Sequence, residues 1–191
     1  MSSPSSNPEA PAARPVTYPL DEFYASAGLA LPQLRAIQGD EMPEPYRSLL
    51  VHENDMTPTL ESFHGGRIHI EVLSRRQENG YYFREVILHM DGSEKPVEFG
   101  AIKIDLNLFP ESARKLILEE RLPLGTILHD CRLVHLSRPT AFLEVLSDEF
   151  IDRGFKLEGT HTLYGRRNTL WTPEHKALAD IVEILPPENP S

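Results

Sequence analysis

The sequence predicts an α+β domain built on a single antiparallel β-sheet, with helices packed on one face or over one end. Two observations carry this. Several segments alternate apolar and polar residues with period two, the signature of strands with one buried face. They follow one another through tight turns rather than through intervening helices, which favours antiparallel pairing over a βαβ layout. Helical patterns concentrate in two regions, around residues 19–62 and 111–129.

The elements follow in order. Eight of the 17 prolines fall before residue 46, mixed with Ser, Ala and Asn up to Pro15, so residues 1–15 are expected to be a disordered tail. Residues 16–187 show no internal repeat or linker and are read as one domain, with 188–191 a frayed terminus. In RIHIEVLS, Ile68, Ile70 and Val72 share one face while His69 and Glu71 take the other. YYFREVILHM is a second strand, joined to the first by Asn79-Gly80 and ended by Asp91-Gly92, both turn dipeptides. PVEFGAIKIDLNLF is a third, followed by Pro110 at a helix start and the helical ESARKLILEE. Leu133 to Leu146 forms a fourth extended stretch, interrupted at Ser137-Arg138-Pro139. THTLYGRRNTLW and ALADIVEILP complete the sheet, joined by TPEHK.

The chain has 191 residues, 40% hydrophobic and 25% charged, as expected for one globular domain with its own core. Lys and Arg number 19 against 29 Asp and Glu, a formal charge of −10. That balance argues against nucleic acid or anionic membrane as a partner, because basic clusters supply such affinity. No apolar run is long enough to span a bilayer, and the N-terminus lacks the basic and apolar regions of a signal peptide. Cys131 is the single cysteine, so no intrachain disulfide forms; it reads as core filler, with His129 and His135 nearby. A cytoplasmic location is expected.

GxSxG, P-loop, GxGxxG and HExxH signatures are all missing. His64 with His69, and His52 with Glu53 and Asp55, lack the ligand spacing of a metal site, and no metal is expected. Charged residues interrupt three apolar strands instead. Arg84 shares its face with Tyr82, Val86 and Leu88; Glu183 shares its face with Ile181 and Leu185; Arg166 and Arg167 point to opposite faces, so one points inward. A structural ion pair between Glu183 and either Arg84 or Arg167 is one reading. The other is an apolar pocket with a cation at one end and a carboxylate at the other, suited to a small planar acid bearing a hydroxyl.

Four segments together resemble chorismate lyase: LLVHENDMTPTLES, YYFREVIL, LPLGTIL, and LYGRRNTL followed by IVEILP. They span roughly residues 47–187, in the family's order. The stretch from Arg138 to His161 departs from the pattern, as do Tyr164, where the family carries Trp, and Asn168, where it carries Ser. The resemblance implies helical flaps closing over a buried ligand. It implies that Arg84 grips the ring carboxylate, that main-chain groups at Met56, Leu124 and Gly125 join it, and that Glu183 meets the ring hydroxyl. Arg84 and Glu183 would carry catalysis, with Arg166 and Arg167 in support. The implied reaction eliminates pyruvate from chorismate, giving 4-hydroxybenzoate or a close relative without cofactor or metal. A monomer or weak homo-oligomer is expected. The alternative is a non-catalytic protein of the same fold that binds or senses an aromatic acid. The acidic charge and the lack of a helix-turn-helix signal set the DNA-binding form of that alternative lower.

Overall fold

The structure, a computed structural model, describes residues 14–188. Most of the expected tail and the last three residues lie outside that range. Seven strands form one fully antiparallel sheet: β1 (Leu34–Ile37), β2 (Ile68–Glu78), β3 (Tyr81–Met90), β4 (Pro96–Asp105), β5 (Leu136–Leu146), β6 (Thr162–Trp171) and β7 (Ala177–Leu185), in the spatial order β1-β5-β6-β7-β4-β3-β2. Two three-stranded meanders, β2-β3-β4 and β5-β6-β7, are thus joined along β4 and β7. Asn79 and Gly80 both take positive φ, 51° and 82°, as a tight primed hairpin turn requires.

Among the described residues six α-helices accompany the sheet: α1 (Leu20–Ala27), α2 (Tyr46–Leu50), α3 (Met56–His64), α4 (Glu111–Glu119), α5 (Leu124–Asp130) and α6 (Glu149–Phe155). Side-chain alternation assigns each strand residue to one of two faces. Phe83, Ile87, Phe99, Val182 and Ile184 pack with α1 and α6. The opposite face is covered in two patches. Val86, Leu88 and Leu185 pack with α2 and α3, whereas Tyr82, Ile102, Ile104 and Ile181 pack with α4 and α5. Between those patches lies the candidate site.

Two elements depart from expectation. β1 lies within the region read as helical; its four residues pair with β5, Leu34 opposite Val145 and Ile37 opposite Phe142. So short a segment shows no period, and an edge partner fixes its conformation. α6 occupies the stretch after β5 that the sequence reading left unassigned. Its start was signalled by Asp148, whose carboxylate accepts from the N–H groups of Phe150 and Ile151. The expected break at Ser137-Arg138-Pro139 is instead a register shift between Pro139 and Ala141 inside a continuous strand. Proline offers no N–H to the ladder, and a bulge absorbs the loss.

Candidate functional site

The floor of the site is a grid set by strand register. Arg84 on β3 stands opposite Ile102 on β4, which stands opposite Ile181 on β7, which stands opposite Asn168 on β6. One step along the strands, the next row on the same face reads Val86, Gly100, Glu183, Arg166. Arg84 and Glu183 are therefore separated by two strand spacings and one side-chain repeat, about 12 Å between Cα atoms. A cavity of about 60 Å³ lies on this floor, lined by both Arg84 and Glu183 and roofed by the starts of α3 and α5.

Arg84 is 2% exposed, and burial pushes its guanidinium pKa down. Its Nη2 reaches the carbonyl of Leu122 only at 3.5 Å, and its buried Nε and Nη1 have no partner. Nearby Tyr82 donates its hydroxyl to Glu120, so the adjacent acid is engaged elsewhere. A buried cation without a counter-charge is costly, by several kcal/mol on the order of its desolvation.

Glu183 is in the opposite situation. Arg166, fully buried, donates from Nε to Glu183 Oε2 at 2.5 Å. Its remaining donors go to the carbonyls of Leu50 (3.3 Å), His52 (3.0 Å) and Asn54 (3.0 Å), tying the segment before α3 to the sheet. The ion pair read from the sequence as Glu183 with Arg84 or Arg167 is therefore made by Arg166. Arg167, its neighbour on β6, faces the other way and donates to the Tyr18 carbonyl (3.1 Å) and to Asp180 (3.4 Å). Gly165 belongs to this arrangement: a Cβ there would overlap the carbonyl oxygen of Glu183, so only glycine lets β6 approach β7 this closely.

Two further polar groups line the cavity. Glu98 on β4 is 5% exposed, with Oε2 buried and unpartnered. Burial holds its pKa well above the usual carboxylate range, and the neighbouring charge of Glu183 adds to the effect. Asn168 donates from Nδ2 to Ser137 at 2.9 Å and leaves Oδ1 without a partner. Neither was singled out from the sequence. Glu98 carries the same signal as Glu183, an acid on an apolar strand face shared with Ile102 and Ile104.

The roof is formed by Asp55, Met56 and Thr57 at the start of α3, and by Leu124 and Gly125 at the start of α5. A Cβ on Gly125 would sit 2.9 Å from Thr57 Oγ1, so the glycine allows the two helices to meet. Asp55 does not cap α3 with its side chain. Its carboxylate turns instead to His135 Nε2 at 2.8 Å, and His135 Nδ1 lies 2.9 Å from the Leu133 carbonyl. Both ring nitrogens thus face acceptors, and the Asp55 contact raises the His135 pKa.

Of the residues singled out from the sequence, Arg84, Met56, Leu124, Gly125 and Glu183 surround one cavity, Arg166 holds Glu183, and Arg167 lies on the far face. Among the described residues no three His, Cys, Asp or Glu side chains are grouped to hold a metal ion. His69 instead contacts Asp91 (2.7 Å) and Glu94 (3.3 Å), and His52 binds the Leu49 carbonyl (2.7 Å). Cys131 is half-buried just past α5. No described helix is long and apolar enough to cross a membrane.

A single antiparallel sheet with helical flaps over an enclosed cavity makes this a chorismate lyase-like α+β fold. Solved structures of similar fold include an effector domain and a ligand-binding domain. PhnF from Mycobacterium smegmatis superposes with a TM-score of 0.52 at 9% identity, covering 89% of this chain and 93% of that one. The effector domain of the same protein gives 0.53 at 8% identity over 71% of this chain and 90% of that one. The ligand-binding domain of a protein assigned to the GntR family of transcriptional regulators, from Bordetella bronchiseptica, gives 0.50 at 11% identity over 64% and 87%. At these identities the likeness is one of fold. No family model and no curated protein matches the sequence.

Proposed function

We propose that the protein encloses a small aromatic carboxylic acid bearing a ring hydroxyl. The observation that carries this reading is Arg84, a buried guanidinium with two unpartnered donors aimed into a cavity. A ligand carboxylate supplies the missing counter-charge, and the planar fork of arginine matches its two oxygens. Main-chain N–H groups at Met56, Leu124 and Gly125, all lining the same cavity, are assigned to the carboxylate as further donors. Glu183, held in place by Arg166, accepts from the ring hydroxyl at the other end. Apolar walls from Val86, Ile102 and Ile181 take the ring faces. The cavity has room for only a few waters, on the scale of 10–15 Å³ for one. α3 and α5 therefore shift outward to admit a ring. Neighbours of the same fold that are titled as ligand-binding and effector domains support a binding role.

A second reading is favoured by the four family-like motifs, which bring Arg84 and Glu183 to opposite ends of one cavity. In it the bound acid is chorismate, and pyruvate is eliminated to leave 4-hydroxybenzoate or a close relative without a cofactor. The new aromatic ring supplies the drive, and the residues contribute mainly position and charge compensation. One pair of experiments addresses both readings. Calorimetric titration of 4-hydroxybenzoate is expected to give saturable one-to-one binding that Arg84→Lys weakens at least tenfold. Incubation with chorismate and EDTA, with pyruvate and the aromatic product quantified, tests turnover. Binding without pyruvate above the spontaneous rate leaves a binding protein; absence of binding overturns both readings.

A further inference from the structure

The far end of the cavity holds two carboxyl groups. Gly100 stands directly opposite Glu183 across β4 and β7. Glu98 Oε1 lies 3.4 Å from the point where a Cβ on Gly100 would sit, so the Glu98 carboxyl folds over the bare Gly100 backbone towards Glu183. The two acids are not equivalent. Glu183 is anchored by Arg166 at 2.5 Å and stays an acceptor. Glu98 has no cationic partner, is buried, and leaves Oε2 unpartnered against the cavity. Of two neighbouring carboxyl groups in an apolar wall, the buried one without an arginine partner is pushed towards its neutral form.

We propose that Glu98 is a specificity-determining residue, a neutral carboxyl that reads a second oxygen on the ligand ring next to the hydroxyl held by Glu183. This rests on the reading of the cavity as an aromatic-acid site and sharpens it to a ligand class. That class is cyclic carboxylic acids with two vicinal oxygen substituents remote from the carboxylate, as in a 3,4-dioxygenated benzoate. A neutral carboxyl can donate to an ether or hydroxyl oxygen and accept from a hydroxyl, whereas Glu183 already accepts from Arg166. A ligand with a bare carbon at that position leaves Glu98 Oε2 unpaired, and buried polar groups discriminate most strongly by being left unpaired.

The test is a ratio of affinities measured by calorimetry on the full chain for 3,4-dihydroxybenzoate and 4-hydroxybenzoate. In the wild type the dihydroxy acid is expected to bind about tenfold more tightly. Glu98→Leu is expected to bring the ratio near one. Glu98→Gln, which keeps a donor and an acceptor in the same shape, retains most of it. Because the readout is a ratio within one variant, a general loss of stability does not imitate the effect. A wild-type ratio near one, or a preference that survives Glu98→Leu, overturns the assignment while leaving the aromatic-acid site standing. Failure of both acids to bind overturns the site itself.

Discussion

Arg166 and Glu183 form a closed pair: the buried guanidinium is spent on one buried carboxylate, three main-chain carbonyls and the His52 ring. Arg84, one row away on the same sheet face, is equally buried and almost unbonded. Two buried arginines thus stand in opposite electrostatic states, and their substitutions separate stability from binding.

Arg166→Ala removes the partner of a buried carboxylate and frees the segment before α3. It is expected to lower unfolding free energy by about 3–5 kcal/mol in urea denaturation. Arg84→Leu removes a buried charge that has no partner. It is expected to leave the ligand-free protein as stable as wild type or more stable by about 1 kcal/mol, while abolishing the thermal shift with 4-hydroxybenzoate. Equal destabilisation by both changes would show that Arg84 is structural.

Glu98 gives a pH signature. Its folded pKa is raised, so its contribution is present in full below the ordinary carboxylate pKa of 4.5 and is lost as pH rises towards the folded value. Glu98→Gln, which cannot ionise, is expected to be more stable than wild type at pH 7–8. The difference should shrink to nothing near pH 4. Denaturant midpoints across that range decide it, and parallel curves would place the proton elsewhere.

His135 and Asp55 fasten the start of α3 to the chain just before β5. The His135 pKa is raised by its carboxylate partner, so the fastening is complete below 6.5 and lost as pH climbs through the higher folded value. Hydrogen exchange in the first turn of α3 is expected to lose protection across that interval in wild type. In His135→Gln the same amides should be less protected at pH 6 and should not change further, once intrinsic exchange rates are normalised.

Gly125→Ala places a methyl 2.9 Å from Thr57 Oγ1 and pushes α5 away from α3. The expected result is a stability loss of about 1–3 kcal/mol, the usual effect of overpacking, and a faster ligand off-rate from a looser roof. Stopped-flow dissociation of 4-hydroxybenzoate measures the second part. Thr57→Ala in the same chain should recover part of both, since it removes the opposing hydroxyl.

Much of the sheet was legible because alternation and turn chemistry act locally. The runs around Ile68, Arg84, Ile102 and Glu183 each show a buried face, and Asn79-Gly80 marks a hairpin by conformation alone. β1 was hidden because four residues carry no period and its partner lies more than 100 residues away. Arg84 and Glu183 were visible as charges on apolar strands. The partner of Glu183 was not, because which strand neighbours β7 depends on register, and register places Arg166 rather than Arg84 or Arg167 opposite it. Glu98 was passed over although it breaks its strand in the same way. Its nearness to Glu183 emerges only when β4 and β7 are side by side, with Gly100 opposite Glu183.

That seam has a consequence for how the chain acquires its site. Arg84 belongs to the first meander and Glu183 to the second, and β4 meets β7 across some 80 residues of intervening sequence. Contacts of such separation carry the largest loop-closure entropy and form late. A chain folded only in its first half therefore has one end of a cavity and half of its floor. Occupancy by a ligand reports completion of the whole domain, and the bound state draws its protection from global rather than local stability.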